Sequence, residues 1–157
     1  MRSLRIVSGG QTGVDRAALD AALDAGLSCG GWCPRGRRAE DGPIAPCYPL
    51  EETAEADYAV RTRRNVEDSD ATLIFFCDAL EGGTALTARL CESVGRPLLL
   101  IDAGHWDTEA AAAEVGGFLS AGGYGTLNVA GPRASEAPAA GAFAAAVLGR
   151  LFAGASA

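Results

Sequence analysis

Lysine is absent from this 157-residue sequence, and all 13 of its basic residues are arginine. A Walker-type phosphate loop, which needs a lysine, is therefore excluded. Acidic residues number 20, so the formal net charge is −7. Because binding to a nucleic-acid backbone requires a basic face, we expect no nucleic-acid partner. One small anion is still allowed, since distant charges are screened beyond about 8 Å at physiological salt.

Long apolar runs and metal-ligand patterns are missing as well. The apolar runs are far shorter than the roughly 18 residues of a membrane span, and residues 1–10 lack the apolar stretch of a secretory signal. The single histidine and the spacing of the five cysteines fit no zinc site. An odd number of cysteines without a signal is typical of a reducing compartment. We therefore expect a cytoplasmic protein with no membrane partner and no metal site of its own.

A short strand pattern, a glycine-rich turn and a helical pattern stand near the start of the chain. Ile6 and Val7 are typical of a strand, and residues 8–13 are Ser-Gly-Gly-Gln-Thr-Gly. Thr12 and Asp15 then predict a helix start, with the threonine hydroxyl bonded to a free helix amide. Glycine lets the backbone turn sharply and lie close to a ligand. The stretch therefore predicts a site for a phosphate or another oxyanion.

A second turn of this kind follows the clearest strand pattern. Residues 71–77 form a continuous apolar run, and Gly82, Gly83 and Thr84 lead into a helix predicted over 85–94. Other strands are predicted over 27–32, 98–101 and 126–129, and other helices over 51–68, 108–119 and 137–152. This alternation predicts an α/β fold over 1–157, a single domain with three α/β/α layers and a mostly parallel five-stranded sheet. If the first and third strands are neighbours, both glycine turns flank one crevice at the carboxyl edge.

Arginines elsewhere in the chain could supply the affinity that a turn cannot. A helix N-terminus contributes only about 0.3–1 kcal/mol towards an anion, whereas micromolar binding needs about 8 kcal/mol. The long connection over 33–49 is either a solvated loop or a lid over the first turn, in which Arg35 and Arg38 would bind the anion. Arg133 follows the last strand and could reach the same edge. One face of the predicted helix 51–68 carries Tyr58, Arg61, Thr62 and Asn65.

Five motifs in a fixed order extend over nearly the whole chain. They are residues 8–15 (SGGQTGVD), 31–42 (GWCPRGRRAEDG), the helix face just named, 82–84 (GGT) and 127–133 (LNVAGPR). Together they resemble the putative molybdenum carrier family, a branch of the SLOG superfamily close to YpsA-type proteins. The resemblance implies a Rossmann-like fold, a ligand with a phosphate or nucleotide at the two glycine turns, and a homodimer.

The resulting prediction is a binding protein for a phosphate-bearing small molecule, either a nucleotide derivative or the molybdenum cofactor, whose pterin carries a phosphate. The residues predicted to bind it are Gly9, Gly10, Gln11, Thr12, Gly13, Arg35, Arg38, Arg61, Asn65, Gly82, Gly83, Thr84 and Arg133. Cys33, in the predicted lid, is a further hypothesis, since its thiolate could contact molybdenum.

Two other functions stay open, and one of them is enzymatic. The LOG-type enzymes of the superfamily cleave the base from a nucleoside monophosphate and use the glutamate of a PGGxGTxxE motif. In this sequence Thr87 stands at the position of that glutamate. Glu40, Asp41 or Glu81 would then have to act as the general base. The other alternative is a regulatory module that senses a nucleotide and acts through a partner surface.

Overall fold

The computed structural model describes residues 3–155, and five helices and nine strands are found among them. In chain order the elements are β1 (Arg5–Val7), α1 (Val14–Asp24), β2 (Ser28–Gly30), β3 (Trp32–Cys33), β4 (Arg38–Ala39), β5 (Gly42–Pro43), β6 (Glu51–Glu52), α2 (Tyr58–Glu67), β7 (Ala71–Phe76), α3 (Gly82–Val94), β8 (Leu98–Asp102), α4 (Thr108–Gly122), β9 (Thr126–Ala130) and α5 (Pro138–Ala155). Five strands form the central sheet, and two small sheets pair β3 with β6 and β4 with β5.

The central sheet has the strand order β2-β1-β9-β7-β8, and all neighbouring strands in it run parallel. Right-handed connections place α1, α4 and α5 on one face and α2 and α3 on the other. On the first face α5 packs between α1 and α4, and on the second α2 packs against α3. The predicted α/β fold, a Rossmann-like sandwich with a five-stranded parallel sheet, is confirmed.

Apolar side chains fill the space between the sheet and its helices. Ile74 and Phe75 of β7 and Leu127 and Val129 of β9 are completely buried, so these strands are covered on both faces. Each large apolar side chain buried in this way contributes about 1.5–3 kcal/mol. The packed sheet therefore gives a rigid base for the loops at its carboxyl edge. Of the helices within residues 3–155, none combines the length and apolar character needed to cross a membrane.

β9 lies between the two strands that lead into the glycine turns. β1 and β7 are not neighbours, because β9 lies between them and pairs with both. Asn128 in β9 is buried, and its side-chain amide donates to the Thr72 hydroxyl at 3.3 Å. Both turns still follow parallel strands and lie at the same carboxyl edge, with the β9–α5 loop between them.

Two predicted elements have different bounds in the structure. The helix predicted over 51–68 begins only at Tyr58, because the Asp57 side chain accepts from the Ala59 amide and caps it there. Residues 51–52 instead form β6, paired with β3. The strand predicted over 27–32 is divided at Gly31, where φ is +128° and a Cβ would lie 2.3 Å from the Ser8 carbonyl oxygen. The backbone can make this close turn only at a glycine.

Candidate functional site

A cleft at the carboxyl edge of the sheet collects residues from the two glycine turns, α2, α3 and the β9–α5 loop. Its polar lining consists of Gln11, Asp15, Tyr58, Arg61, Thr62, Thr84, Thr87, Arg133 and Glu136, and the backbone of Gly83 and Gly131 completes the walls. The two turns therefore face one volume although β9 separates their strands.

Gln11 presents a buried hydrogen-bond donor to this cleft. Its side-chain Oε1 accepts from the backbone amides of Thr12, at 3.1 Å, and Glu40, at 2.8 Å. Because only the carbonyl oxygen can accept, these two bonds fix which way the amide points. The Nε2 atom is buried and has no hydrogen-bond partner among the described residues. Since buried donors are nearly always satisfied, an oxygen atom of a bound water or ligand is the expected partner.

Arg61 is the second donor of this kind. Its guanidinium lies against Gly9, and its Nη1 atom is 3.5 Å from a carboxylate oxygen of Asp15. The side chain is only 13% exposed, and its Nε atom is buried without a partner among the residues of the structure that are described. An arginine with an unused hydrogen-bond donor therefore lies close to Gln11 on the cleft wall.

Asp15 is a buried carboxyl group, 3% exposed, and it lines the same cleft. Burial raises its pKa above the usual value, while the positive charge of Arg61 and the backbone amide of Gln11 act in the opposite direction. The sequence indicated only a helix-capping role for Asp15, because its burial depends on α2 folding over the first turn. Glu136, which is ion-paired with Arg133 at 2.8 Å, is a second cleft carboxylate that sequence reasoning missed.

The predicted threonine cap of α1 is wrong. The N-cap residue is Gly13, and no described side chain caps this helix end. The first helix amide, that of Val14, instead donates to the Pro132 carbonyl oxygen at 3.5 Å. The hydroxyl of Thr12 is engaged elsewhere, since it accepts from the Ala134 amide at 3.1 Å and donates to the Glu40 carboxylate. The β9–α5 loop, which is distant in sequence, has taken over the capping of α1.

Three guanidinium groups surround the ring of Tyr58. Those of Arg38, Arg61 and Arg133 lie 4.9, 5.4 and 5.7 Å from its centroid, within the range of cation–π contacts. Arg38 also donates to the Ala56 carbonyl oxygen at 3.0 Å. This side of the cleft therefore combines positive charge with an aromatic face, although the whole chain is acidic.

The amino end of α3 faces the cleft from the opposite side. No side chain within the described range caps this end, whose N-cap residue is Glu81. Gly83 and Thr84 in its first turn line the cleft. A Cβ built on Gly83 would have no described atom within 4 Å, so there is open space in front of it. The first amides of a helix are free to bind an anion in such a position.

Five of the thirteen residues predicted to bind ligand line the cleft: Gln11, Arg61, Gly83, Thr84 and Arg133. Arg38 is near it through Tyr58, and Gly82 adjoins it in α3. Thr12 contacts Glu40, and Arg35 is exposed outside the lining. Asn65 is buried and holds the backbone of Trp32 through bonds of 2.7 and 3.0 Å.

The glycines of the first turn meet protein atoms at close range. A Cβ on Gly9 would lie 2.1 Å from Arg61 Nη1, one on Gly10 would lie 2.5 Å from Leu50, and one on Gly13 would lie 2.6 Å from the Pro132 carbonyl oxygen. These glycines therefore let α2, the 44–50 segment and the β9–α5 loop approach the turn. The close approach of these segments to the glycines shapes the cleft.

The 33–49 connection packs beside the first turn through Glu40, which contacts Thr12, and Asp41, which contacts Arg16, but none of its residues lines the cleft. The Cys33 side chain is completely buried, and burial raises the pKa of its thiol. A protonated and enclosed thiol cannot contact molybdenum, so that hypothesis is wrong. Arg37 has a structural role, since its guanidinium donates hydrogen bonds to backbone carbonyl oxygens in the 44–50 segment.

Comparison with known proteins assigns the chain to a family. The model of the circularly permutated YpsA SLOG family matches residues 6–152. The chain belongs to this family. Among solved structures, the chain is similar to a putative molybdenum carrier protein from Syntrophus aciditrophicus SB. The two share 41% sequence identity with a TM-score of 0.92, and the match covers 96% of this chain and 95% of that one. No curated protein matches the sequence. The predicted resemblance is thus confirmed for this YpsA-type chain.

Proposed function

We propose that this chain binds a small molecule through an oxyanion or phosphate group placed in the cleft. The observation that carries the proposal is the pair of buried donors without partners, Gln11 Nε2 and Arg61 Nε, among the described residues. A buried donor left unsatisfied costs about 1–3 kcal/mol, and a ligand oxygen that accepted from either donor would remove the cost of that donor. The fixed orientation of the Gln11 amide means that its donor is already in place before the ligand arrives.

The donor set is large enough to give useful affinity. A hydrogen bond to a charged group contributes about 1.5–3 kcal/mol, and the amino end of α3 adds about 0.3–1 kcal/mol. Gln11, Arg61 and Arg133 together with that helix end can therefore approach the roughly 8 kcal/mol of micromolar binding. The ring of Tyr58 offers a face on which a flat heterocycle of the ligand could stack.

The cargo that fits these residues is molybdenum as an oxyanion or as a cofactor held by its phosphate. The solved relative is described as a putative molybdenum carrier protein. Within residues 3–155 there is no group of three or more His, Cys, Asp or Glu side chains that could hold a metal ion. The available donors are N–H groups, which bind oxygen atoms rather than a metal. A phosphate-bearing nucleotide satisfies the same donors and is the other ligand we propose.

The enzymatic alternative finds less support in the geometry. Glu40 accepts from Thr12 and Ser135, and Asp41 is paired with Arg16 at 2.9 Å, so both carboxylates are engaged outside the cleft lining. Glu81 lines a depression beside Cys77 that shares Thr84, Pro132 and Glu136 with the cleft. The two carboxylates that line the cleft are each paired with an arginine, Asp15 with Arg61 and Glu136 with Arg133. We therefore propose binding without hydrolysis. The homodimer and the cytoplasmic location implied at the outset stay predictions.

Calorimetric titration with sulfate, molybdate, AMP and purified molybdenum cofactor tests the proposal. We expect at least one of them to bind, and Gln11→Ala and Arg61→Ala each to weaken it by about 10-fold or more. Arg150→Ala, which removes an exposed arginine paired with Glu109, is the control and should leave the affinity unchanged. Failure of all four ligands to bind, or an affinity equal to that of the wild type in both cleft variants, would contradict the proposal. Release of adenine from AMP would favour the enzyme.

A further inference from the structure

Glu40 stands at the tip of the β4–β5 hairpin, where it contacts the first glycine turn and the β9–α5 loop without lining the cleft. Its backbone amide donates to Gln11 Oε1 at 2.8 Å. Its carboxylate accepts from the Thr12 hydroxyl, and from the Ser135 hydroxyl at 2.5 Å and amide at 3.1 Å. We call these four residues, Gln11, Thr12, Glu40 and Ser135, the Glu40 cluster.

We propose, on the basis of the function proposed above, that Glu40 is a positioning residue that holds Gln11 and the Arg133 loop in their ligand-binding arrangement. The hairpin amide supplies one of the two bonds that fix the Gln11 amide. The carboxylate anchors that hairpin to Thr12, next to Gln11, and to Ser135, two residues after Arg133. This one side chain joins three segments of the chain, and its contact with Ser135 spans 95 residues of sequence.

The ionised form of Glu40 is the one that this arrangement requires. All three contacts to its carboxylate come from hydroxyl or amide groups, and an ionised carboxylate accepts without donating. These hydrogen bonds, chiefly those from the Ser135 and Thr12 side chains, hold the pKa of Glu40 below its usual value. Glu40 therefore stays ionised although it brings a negative charge close to an anion site.

The sign of one substitution separates positioning from simple electrostatics. Glu40→Gln removes a negative charge near the cleft, so charge alone predicts tighter binding of an anion. The positioning role predicts weaker binding, because glutamine replaces the charge-assisted hydrogen bonds from Thr12 and Ser135 with weaker neutral ones. We expect sulfate affinity to fall about 10-fold. Asp41→Asn removes the same charge from the adjacent residue, and we expect unchanged or slightly tighter binding.

A double-mutant comparison tests whether Glu40 acts through Gln11. In a Gln11→Ala background, Glu40→Gln should cause much less than its 10-fold loss, because the group that it positions is gone. Unchanged or tighter sulfate binding by Glu40→Gln alone, or a full additive loss in the double variant, would overturn the inference. Circular dichroism of each variant checks that the fold is retained.

A second measurement needs no ligand. In ¹⁵N-labelled protein the side-chain NH₂ resonances of Gln11 should shift in Glu40→Gln and stay in place in Asp41→Asn. If wild-type protein bound none of the oxyanions, the proposed function would fail while this readout still tested the positioning of Gln11. If sulfate bound but the Gln11 side-chain resonances did not shift in Glu40→Gln, only the positioning role would fail.

Discussion

The guanidinium of Arg61 lies directly over the backbone of Gly9, where a Cβ atom would come within 2.1 Å of Nη1 and 2.6 Å of Cζ. In a simple phosphate loop, a bound anion would be expected against such a glycine. Here the guanidinium of Arg61, which belongs to α2, occupies that position. Its N–H groups extend the hydrogen-bond donors of the turn further into the cleft. Under the proposed function, we therefore expect the first glycine turn to act on a ligand through Arg61 and Gln11 rather than through its own glycines.

Gly9→Ala should reduce anion affinity while the protein stays folded. The clash falls on the end of a flexible side chain, so Arg61 can move away, but it then leaves the position beside Asp15. We expect sulfate affinity to drop about 10-fold, equal to about 1.4 kcal/mol. Gly117→Ala in α4 is the control, because its Cβ meets no described atom within 4 Å. Titration and thermal unfolding of both variants measure this, and unaltered affinity in Gly9→Ala would refute the role of Arg61.

Gly83→Val should block the cleft from the α3 side. The new side chain would enter the open space before the first turn of the helix, where no described atom now lies within 4 Å of the Cβ position. We expect little change in unfolding temperature and a loss of anion affinity of more than about 10-fold. Gly83→Ala, with a smaller side chain, should bind the anion with an affinity between those of the wild type and Gly83→Val. Ligand affinity equal to wild type in Gly83→Val would show that the anion does not approach α3.

Sulfate affinity should rise as the pH is lowered. Because burial raises the pKa of Asp15 above its usual value of 3.8, its carboxylate becomes protonated at a higher pH than an exposed aspartate. Protonation removes a negative charge beside Arg61, and sulfate keeps its own charge over this range. Asp15→Asn should bind sulfate more tightly at neutral pH and lose this pH dependence. Titrations from pH 7 to pH 4 test the prediction, which fails if both proteins show the same slope.

Arg37→Ala should destabilise the fold through the 44–50 segment. The Arg37 guanidinium donates to the carbonyl oxygens of Ile44, Ala45, Tyr48 and Leu50 at 2.8–3.3 Å. Losing hydrogen bonds from a charged group should cost about 2–3 kcal/mol, or roughly 4–12 °C in unfolding temperature. The neighbouring Arg35 is exposed, so Arg35→Ala should change stability by less than about 0.5 kcal/mol. Faster amide exchange over 44–50 in Arg37→Ala alone would confirm the assignment.

Local patterns in the sequence predicted the elements that depend on local chemistry. The apolar run over 71–77 predicted β7, and the two glycine turns predicted the edge at which the cleft lies. The helix over 51–68 was predicted too long, because β6 forms only when Glu51 meets Trp32 in a parallel pair. Glutamate residues in sequence give no sign of such a partner.

The sequence by itself determined the α/β class, the parallel sheet and the position of Gln11 in a glycine turn, because hydrophobic periodicity and glycine act over a few residues. Tertiary structure decided that β9 enters between β1 and β7, that Glu40 and Ser135 meet across 95 residues, and that Asp15 is buried under Arg61. These contacts depend on which elements pack together, and that choice is made by the burial of whole faces rather than by any one segment.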